Sequence, residues 1–344
     1  MKVVIVSPYT VPQFGLEVFY HNAFVSLGHS VKMLGFFDEN DGNKLLAERV
    51  YNKIGSYNPS GIKPYISSKK LLEQLKKENP DVIIFGRCER MASQFLSDVK
   101  STLKAILVNI YPDHPFMIPS GKSAYHLRDT LSLYDCVFTM SPSLTPVFYQ
   151  LGAKNVQWLP FAYCDEMEYR DLTTNPSKDL AYFGVWGPFQ EQVLKNLASL
   201  GLNIYGANWQ KSKDKQITQC WKKGEGMGIE MINEIADTKL IVNMVRAEHG
   251  CFHTMKTFEI PAAGGFSITN YSDEQAYFFK PDKEAVYFNT EEEMLDKVQF
   301  YQNNEALRNQ IRVKAHDKVK IHTYKERAAR LIEFFKSGNY NNNY

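Results

Sequence analysis

The chain opens on KVVIVS, residues 2–7, a continuous β-branched run of the kind buried on both faces of a sheet. After a loop, LEVFYHNAFVSLG places its apolar residues at helical spacing and stops at Gly28, a C′ glycine. HSVKMLGFF predicts a second strand. The unit then repeats: helix KKLLEQLKKENP, strand DVIIFG, a helix around 89–101, strand AILVNI, a helix around 124–133, strand CVFTM, helix LTPVFYQLG and strand VQWLP. Strands alternating with helices in this way predict a parallel, doubly wound sheet.

The pattern lapses over residues 161–179, FAYCDEMEYRDLTTNPSKD, which reads as a linker. It restarts with strand LAYFG, helix FQEQVLKNLASLG, strand NIYG, helix IEMINEIAD and strand KLIVNMV. HTMKTFEIPAAGG, strands FSIT and AVYF, and helix TEEEMLDKVQFYQ follow, with helical segments from about 305 to 336. The expected organisation is two α/β domains, 1–160 and 180–324, with a final helix near 325–338. A length of 344 residues suits two cores better than one. Paired domains of this kind bind ligands in the cleft that they face, near the carboxyl ends of the strands.

Composition changes this picture little: 44% apolar and 23% charged residues are ordinary for a globular chain. A formal charge of +2 argues against a dedicated nucleic-acid binder, while leaving room for a local basic groove. The five cysteines, at 88, 136, 164, 220 and 251, form no CxxC pair and are odd in number. That usage fits free thiols in a reducing compartment. The apolar run after Lys2 is too short for a signal peptide, and no stretch approaches the ~18 apolar residues of a membrane span. A cytoplasmic protein is expected, with the tail SGNYNNNY frayed.

A series of stretches in order carries a resemblance: YDCVFTMSPSLTPVFYQLGAKNVQWLPFA, LAYFGVWG, LNIYGANW, LIVNMVR, KTFEIPAAGGFSIT and HTYKERAARLI. Together they resemble the GT-B glycosyltransferases, whose two Rossmann-like doubly wound domains face each other across a cleft. More specifically they are similar to the spore-maturation-protein (CgeB-like) branch, with its group-1-type transferase domain in the C-terminal half. Residues 1–100 share only the alternation. The resemblance implies a nucleotide-sugar donor, UDP-linked in this reading, held mainly by the second domain. It also implies an acceptor held mainly by the first, and a final helix that crosses back to the first domain. Tyr324 and Arg327, one turn apart, read as its anchor.

In HTMKTFEIPAAGG, helical spacing puts His253, Lys256 and Glu259 on one face, ahead of Gly264 and Gly265. A solvated face is the plain reading. In the functional one, Lys256 and a helix N-terminus hold the diphosphate, His253 donates a further hydrogen bond, and Glu259 accepts from the two ribose hydroxyls. The family usually has arginine at the Lys256 position. Thr257 joins this donor-binding set, with Gly184 at the end of LAYFG, Asn243 and Arg246 at the end of LIVNMVR, and Gly15 in the loop after the first strand. Arg246 reads equally as a surface ion pair. HGCFH brings His249, Cys251 and His253 close in sequence, but no further pair stands at zinc-site spacing and no DxD motif exists. No metal or other cofactor is expected; cations and the helix dipole neutralise the leaving group. GEGMG, 224–228, follows CWKK rather than a strand, so it fails as a dinucleotide fingerprint; it reads as a flexible loop, with backbone contact to the nucleotide base as the other reading.

In the first domain, NIYPDHPF places Asp113 and His114 just after a strand. Either could take the acceptor's proton, and a capped turn between prolines is the alternative. The expected function is transfer of a sugar to an unknown hydroxyl on a protein, a glycan or a modified nucleic-acid base, with retention favoured by resemblance. An epimerase of the same fold or a non-catalytic nucleotide-sugar-binding protein are the other classes.

Overall fold

The computed structural model describes residues 1–7, 12, 14–36, 62–87, 91–116, 123–165, 172, 176–224, 226–245 and 252–338, with backbone only for 62–67 and 123–126. The chain divides into two compact units, one built from Met1–Pro160 and the segment from Tyr324, the other from Phe161–Ala247 and Phe252–Thr323.

The strands of the first unit are β1 (Lys2–Ser7), β2 (Ser30–Gly35), β3 (Val82–Gly86), β4 (Ile106–Tyr111), β5 (Cys136–Thr139) and β6 (Val156–Trp158). They pair in the order β2-β1-β3-β4-β5-β6, all parallel, with Val3 opposite Val82 and Ile84 opposite Val108. Val3, Val4, Ile5 and Val6 are all buried, because helices cover both faces of such a sheet. Those helices are α1 (Leu16–Ser26), α2 (Ile62–Glu78), α3 (Ser93–Thr102), α4 (Ser123–Thr130) and α5 (Thr145–Gln150). The strand order reverses direction between β1 and β3, which makes the carboxyl ends of those two strands a topological switch point.

In the second unit, β7 (Lys178–Phe183), α6 (Pro188–Lys195), β8 (Leu202–Tyr205), α7 (Lys215–Cys220), α8 (Gly228–Ala236) and β9 (Thr238–Asn243) come first. After them stand α9 (Lys256–Ala262), β10 (Ser267–Asn270), α10 (Asp273–Phe278), β11 (Val286–Phe288), α11 (Glu291–Gln302) and α12 (Glu305–Val319). The sheet runs β11-β10-β9-β7-β8, again all parallel, and its switch point lies between β7 and β9. Leu180, Ile204, Leu240, Val242, Ile268 and Val286 fill one core with Trp209 and Phe266.

The last helix, α13 (Tyr324–Ser337), packs in the first unit against α1. Tyr324 stacks on Phe19 at 5.0 Å between centroids and meets Tyr20 edge-on at 5.3 Å. Arg327, fully buried, donates from Nε to the Pro160 carbonyl at 3.1 Å. Burial brings its pKa down to about 10.

Short helices α7 and α10 are absent from the periodicity reading, though both carry caps. Asp214 accepts from the amides of Gln216 and Ile217, and Ser272 from that of Gln275. The stretch read as a linker makes hydrogen bonds at several of its described positions. Phe161 N–H donates to His253, Tyr163 N–H to the His322 carbonyl at 3.2 Å, and the Leu172 carbonyl accepts from Arg312 at 2.6 Å.

Candidate functional site

Helix α9 is built to be buried: Thr257, Phe258, Glu259, Ile260, Pro261 and Ala262 all face the interior. Gly264, at φ 75°, ends it, with Gly264 N–H bonded to Pro261 O and Gly265 N–H to Ile260 O. Within this apolar setting Glu259 is only 5% exposed. Its carboxylate accepts no hydrogen bond among the described residues, and burial raises its pKa, partly opposed by Lys256. Lys256 is partly buried and makes no ion pair among the described residues. A carboxylate without donors in such a place is costly, so it marks a position where a ligand can supply them.

A polar spine fixes the carboxyl ends of β9 and β10 beside this helix. Asn243 donates to Thr269 Oγ1 at 3.4 Å, and the Thr269 and Thr257 hydroxyls donate to Gln275 Oε1 at 3.2 and 3.3 Å. Gln275 donates to the Asn270 carbonyl at 2.8 Å, and the Asn270 amide clamps Val245 through both N–H and C=O at 2.8 Å. Asn243 and Thr257, expected at the ligand, are therefore turned inward, 4% and 8% exposed. They hold the frame on which α9 sits.

His253 departs further from expectation. It has no exposed surface; Nδ1 lies 2.7 Å from Glu274 Oε2, and Nε2 accepts from Phe161 N–H at 3.2 Å. The rings of Phe161, Phe258 and Phe278 surround it at 5.2–5.8 Å. A nitrogen that accepts an amide proton has none to donate, so this ring is placed to tie Phe161 to α10 rather than to reach a diphosphate. Periodicity cannot see this, because burial on that side comes from residues distant in sequence. Arg246 lies outside the described residues.

At the end of β7, Gly184 donates its N–H to Tyr205 O at 2.9 Å and accepts from Trp209 Nε1 at 2.8 Å. Gly206, at φ 131°, packs so closely that a Cβ there would lie 2.2 Å from the Gly184 carbonyl oxygen. The Gly224 carbonyl accepts from Gly206 N–H at 3.0 Å, and a Cβ on Gly226 would stand 3.1 Å from Tyr205. The loop expected to be flexible is thus a packed backbone surface at these positions. Trp221 completes it by donating to Gly206 O at 3.1 Å.

In the first unit, Asp113 pairs with Arg87 at 3.0 Å; the sequence reading overlooked Arg87. Arg87 follows β3 in a left-handed conformation, φ 56°, held by its N–H on Ile110 O at 2.9 Å and by Asn109 Nδ2 on its carbonyl at 3.4 Å. Glu17, in the first turn of α1 and also overlooked, rests where a Gly86 side chain would be: a Cβ there would lie 2.5 Å from Oε1. Burial raises the Glu17 pKa, against a hydrogen bond from its own amide and the field of Arg87. Gly15, at φ 127°, caps α1 beside it. His114 accepts from Phe116 N–H through Nδ1 at 3.1 Å, which puts the neutral ring's proton on Nε2. Both candidate bases therefore already have partners: His114 Nδ1 the Phe116 amide, and Asp113 the Arg87 guanidinium. Among the described residues no group of three His, Cys, Asp or Glu could hold a metal, and no helix is long and apolar enough to cross a membrane.

Residues 188–333 match the family model described as glycosyl transferase-like. No curated protein matches the chain. Among solved structures, it is similar to a sucrose-phosphate synthase from Thermosynechococcus elongatus, with a TM-score of 0.68 at 12% identity over 99% of this chain and 100% of that one. The HepE protein of Anabaena in complex with UDP-glucose gives 0.64 at 13%, over 98% and 100%. A glycosyltransferase from Rickettsia africae gives 0.65 at 13%, over 98% of each. The fold is that of the GT-B glycosyltransferases, and the glycosyl transferase-like match lies in the C-terminal half of the chain.

Proposed function

We propose that the chain transfers a sugar from a UDP-sugar to an acceptor hydroxyl, with retention and without a metal. Glu259 carries this reading: a buried carboxylate that accepts no hydrogen bond among the described residues is what two vicinal ribose hydroxyls complete. Lys256, one turn before it, supplies positive charge for the diphosphate, with Arg246 as a second cation and Gly184 and Gly15 allowing close backbone approach. The UDP-glucose complex of the Anabaena neighbour supports uridine as the base. The ordered stretches above support the spore-maturation branch, and the buried thiols of Cys136 and Cys220 a reducing cytoplasm.

In the reaction the acceptor oxygen bonds to the sugar's anomeric carbon, and the bond from that carbon to the β-phosphate oxygen breaks. The nucleoside diphosphate leaves with the electron pair, beside Lys256. The acceptor proton goes to the loop after β4, where Asp113 and His114 sit. Incubation with UDP-glucose, UDP-galactose and UDP-N-acetylglucosamine in EDTA tests the reading by nucleotide release. Slow release of UDP without acceptor is expected. Interconversion of donors would make the protein an epimerase, and binding with neither would make it non-catalytic.

A further inference from the structure

We propose that Arg312 is a positioning residue for donor binding: it ties down the carboxyl end of α9 and so sets where Glu259 stands against the ribose. This rests on the donor reading above. Helix α9 is seven residues long and contains Pro261, which has no N–H to add to the ladder, so its own hydrogen bonds hold it weakly. The Glu259 carboxylate accepts no hydrogen bond among the described residues, so no polar contact corrects its place if the helix shifts. Packing does not fix the helix either. A crevice lies where α9 and α12 meet, lined by Thr257, Pro261 and Gly265 from the first segment and by Ile311, Arg312 and Ala315 from the second.

Polar ties supply what packing leaves out. Helix α12 presents Arg312 and His316, one turn apart, to the carbonyls at the end of α9. His316 donates from Nδ1 to Pro261 O at 3.0 Å, and Arg312 from Nη1 to Gly264 O at 3.3 Å. Arg312 Nη2 donates to Leu172 O at 2.6 Å, and the Leu172 side chain fills the space that a Gly264 Cβ would need, 2.4 Å from Cδ2. One guanidinium thus joins α12, the end of α9 and the stretch between β6 and β7. It does so at a cost: burial lowers the Arg312 pKa, partly opposed by Glu305, and Nε is enclosed with no acceptor among the described residues. Positive charge suits the carbonyl end of a helix, and a planar fork reaches two carbonyls at once, which the point charge of a lysine does not.

Calorimetric titration of the full chain with UDP and with 2′-deoxy-UDP isolates the ribose contact. The wild-type protein should bind UDP about tenfold or more tightly than the deoxy form, which has lost one hydroxyl bond to the carboxylate. In Arg312→Gln and in Arg312→Lys that preference should fall to about threefold or less. Arg312→Lys keeps the charge and the stem, so it gives the reading if Arg312→Gln does not fold. Adding Glu259→Gln to either change should weaken UDP binding by no more than about a further twofold, because the contact is already lost. A purely structural role would weaken both nucleotides and leave their ratio as it was. The inference is overturned if either folded variant keeps the wild-type preference, or if the losses in the double variant add. A wild-type protein without any preference would instead defeat the donor assignment, and the inference with it.

Discussion

Replacing Glu259 by Gln should move stability and affinity in opposite directions. The side chain is 5% exposed, and its carboxylate accepts no hydrogen bond among the described residues. Leaving a buried charge without partners costs upward of about 1–3 kcal/mol, and a neutral amide of the same shape costs less. The ligand-free variant should therefore gain about 1–2 kcal/mol, a rise of roughly 2–8 °C in Tm for a unit of this size. The sign follows from the raised pKa of Glu259. Its protonated form is free of penalty below the unfolded value of about 4.3, and the penalty grows as pH rises through the folded value. The gain should vanish near pH 4 and be full at high pH. Affinity runs the other way, because hydrogen bonds to a charged acceptor are worth about 1.5–3 kcal/mol, so the Kd for UDP should rise roughly 10- to 100-fold. Calorimetric titration with UDP, beside thermal melts at several pH values, measures both. Unchanged UDP affinity in a folded variant refutes the donor assignment, and a destabilised ligand-free variant refutes the claim that the carboxylate is unpaired.

Gly206→Ala drives a Cβ to 2.2 Å from the Gly184 carbonyl at φ 131°, so denaturant melts should show a loss of at least ~3 kcal/mol. Gln275→Leu strips partners from Thr257, Thr269 and the Asn270 carbonyl together. It should cost about 2–4 kcal/mol by the same assay and weaken UDP binding as α9 loosens. Excess EDTA should leave the Kd for UDP within about twofold, since side-chain cations carry the diphosphate; a loss that magnesium restores would reverse this.

Strands such as β1 and β9 are plain in the sequence because burial on both faces writes an unbroken apolar run. Helices α7 and α10 are one or two turns long, too short for a period, and only Asp214 and Ser272 announce them. Glu259 stands out since a carboxylate inside FEIPAAGG is at odds with its neighbours. His253 looked equivalent on spacing alone. Its partners Glu274 and Phe161 lie 21 and 92 residues away, so nothing local reveals that both ring nitrogens are occupied. Glu17 and Arg87 come from separate strand ends, and only the strand order brings them together.

The packing of α13 on α1 has a consequence for synthesis. Phe19 and Tyr20 find their partner Tyr324 only after the whole second unit has been translated. At roughly 5–20 residues per second, the ~300 intervening residues take about 15–60 s to emerge. Throughout that interval the first unit lacks a wall of its core while the second already has all its strands. The nascent chain thus carries an open aromatic seam on α1, a natural target for chaperones, until the final helix leaves the ribosome.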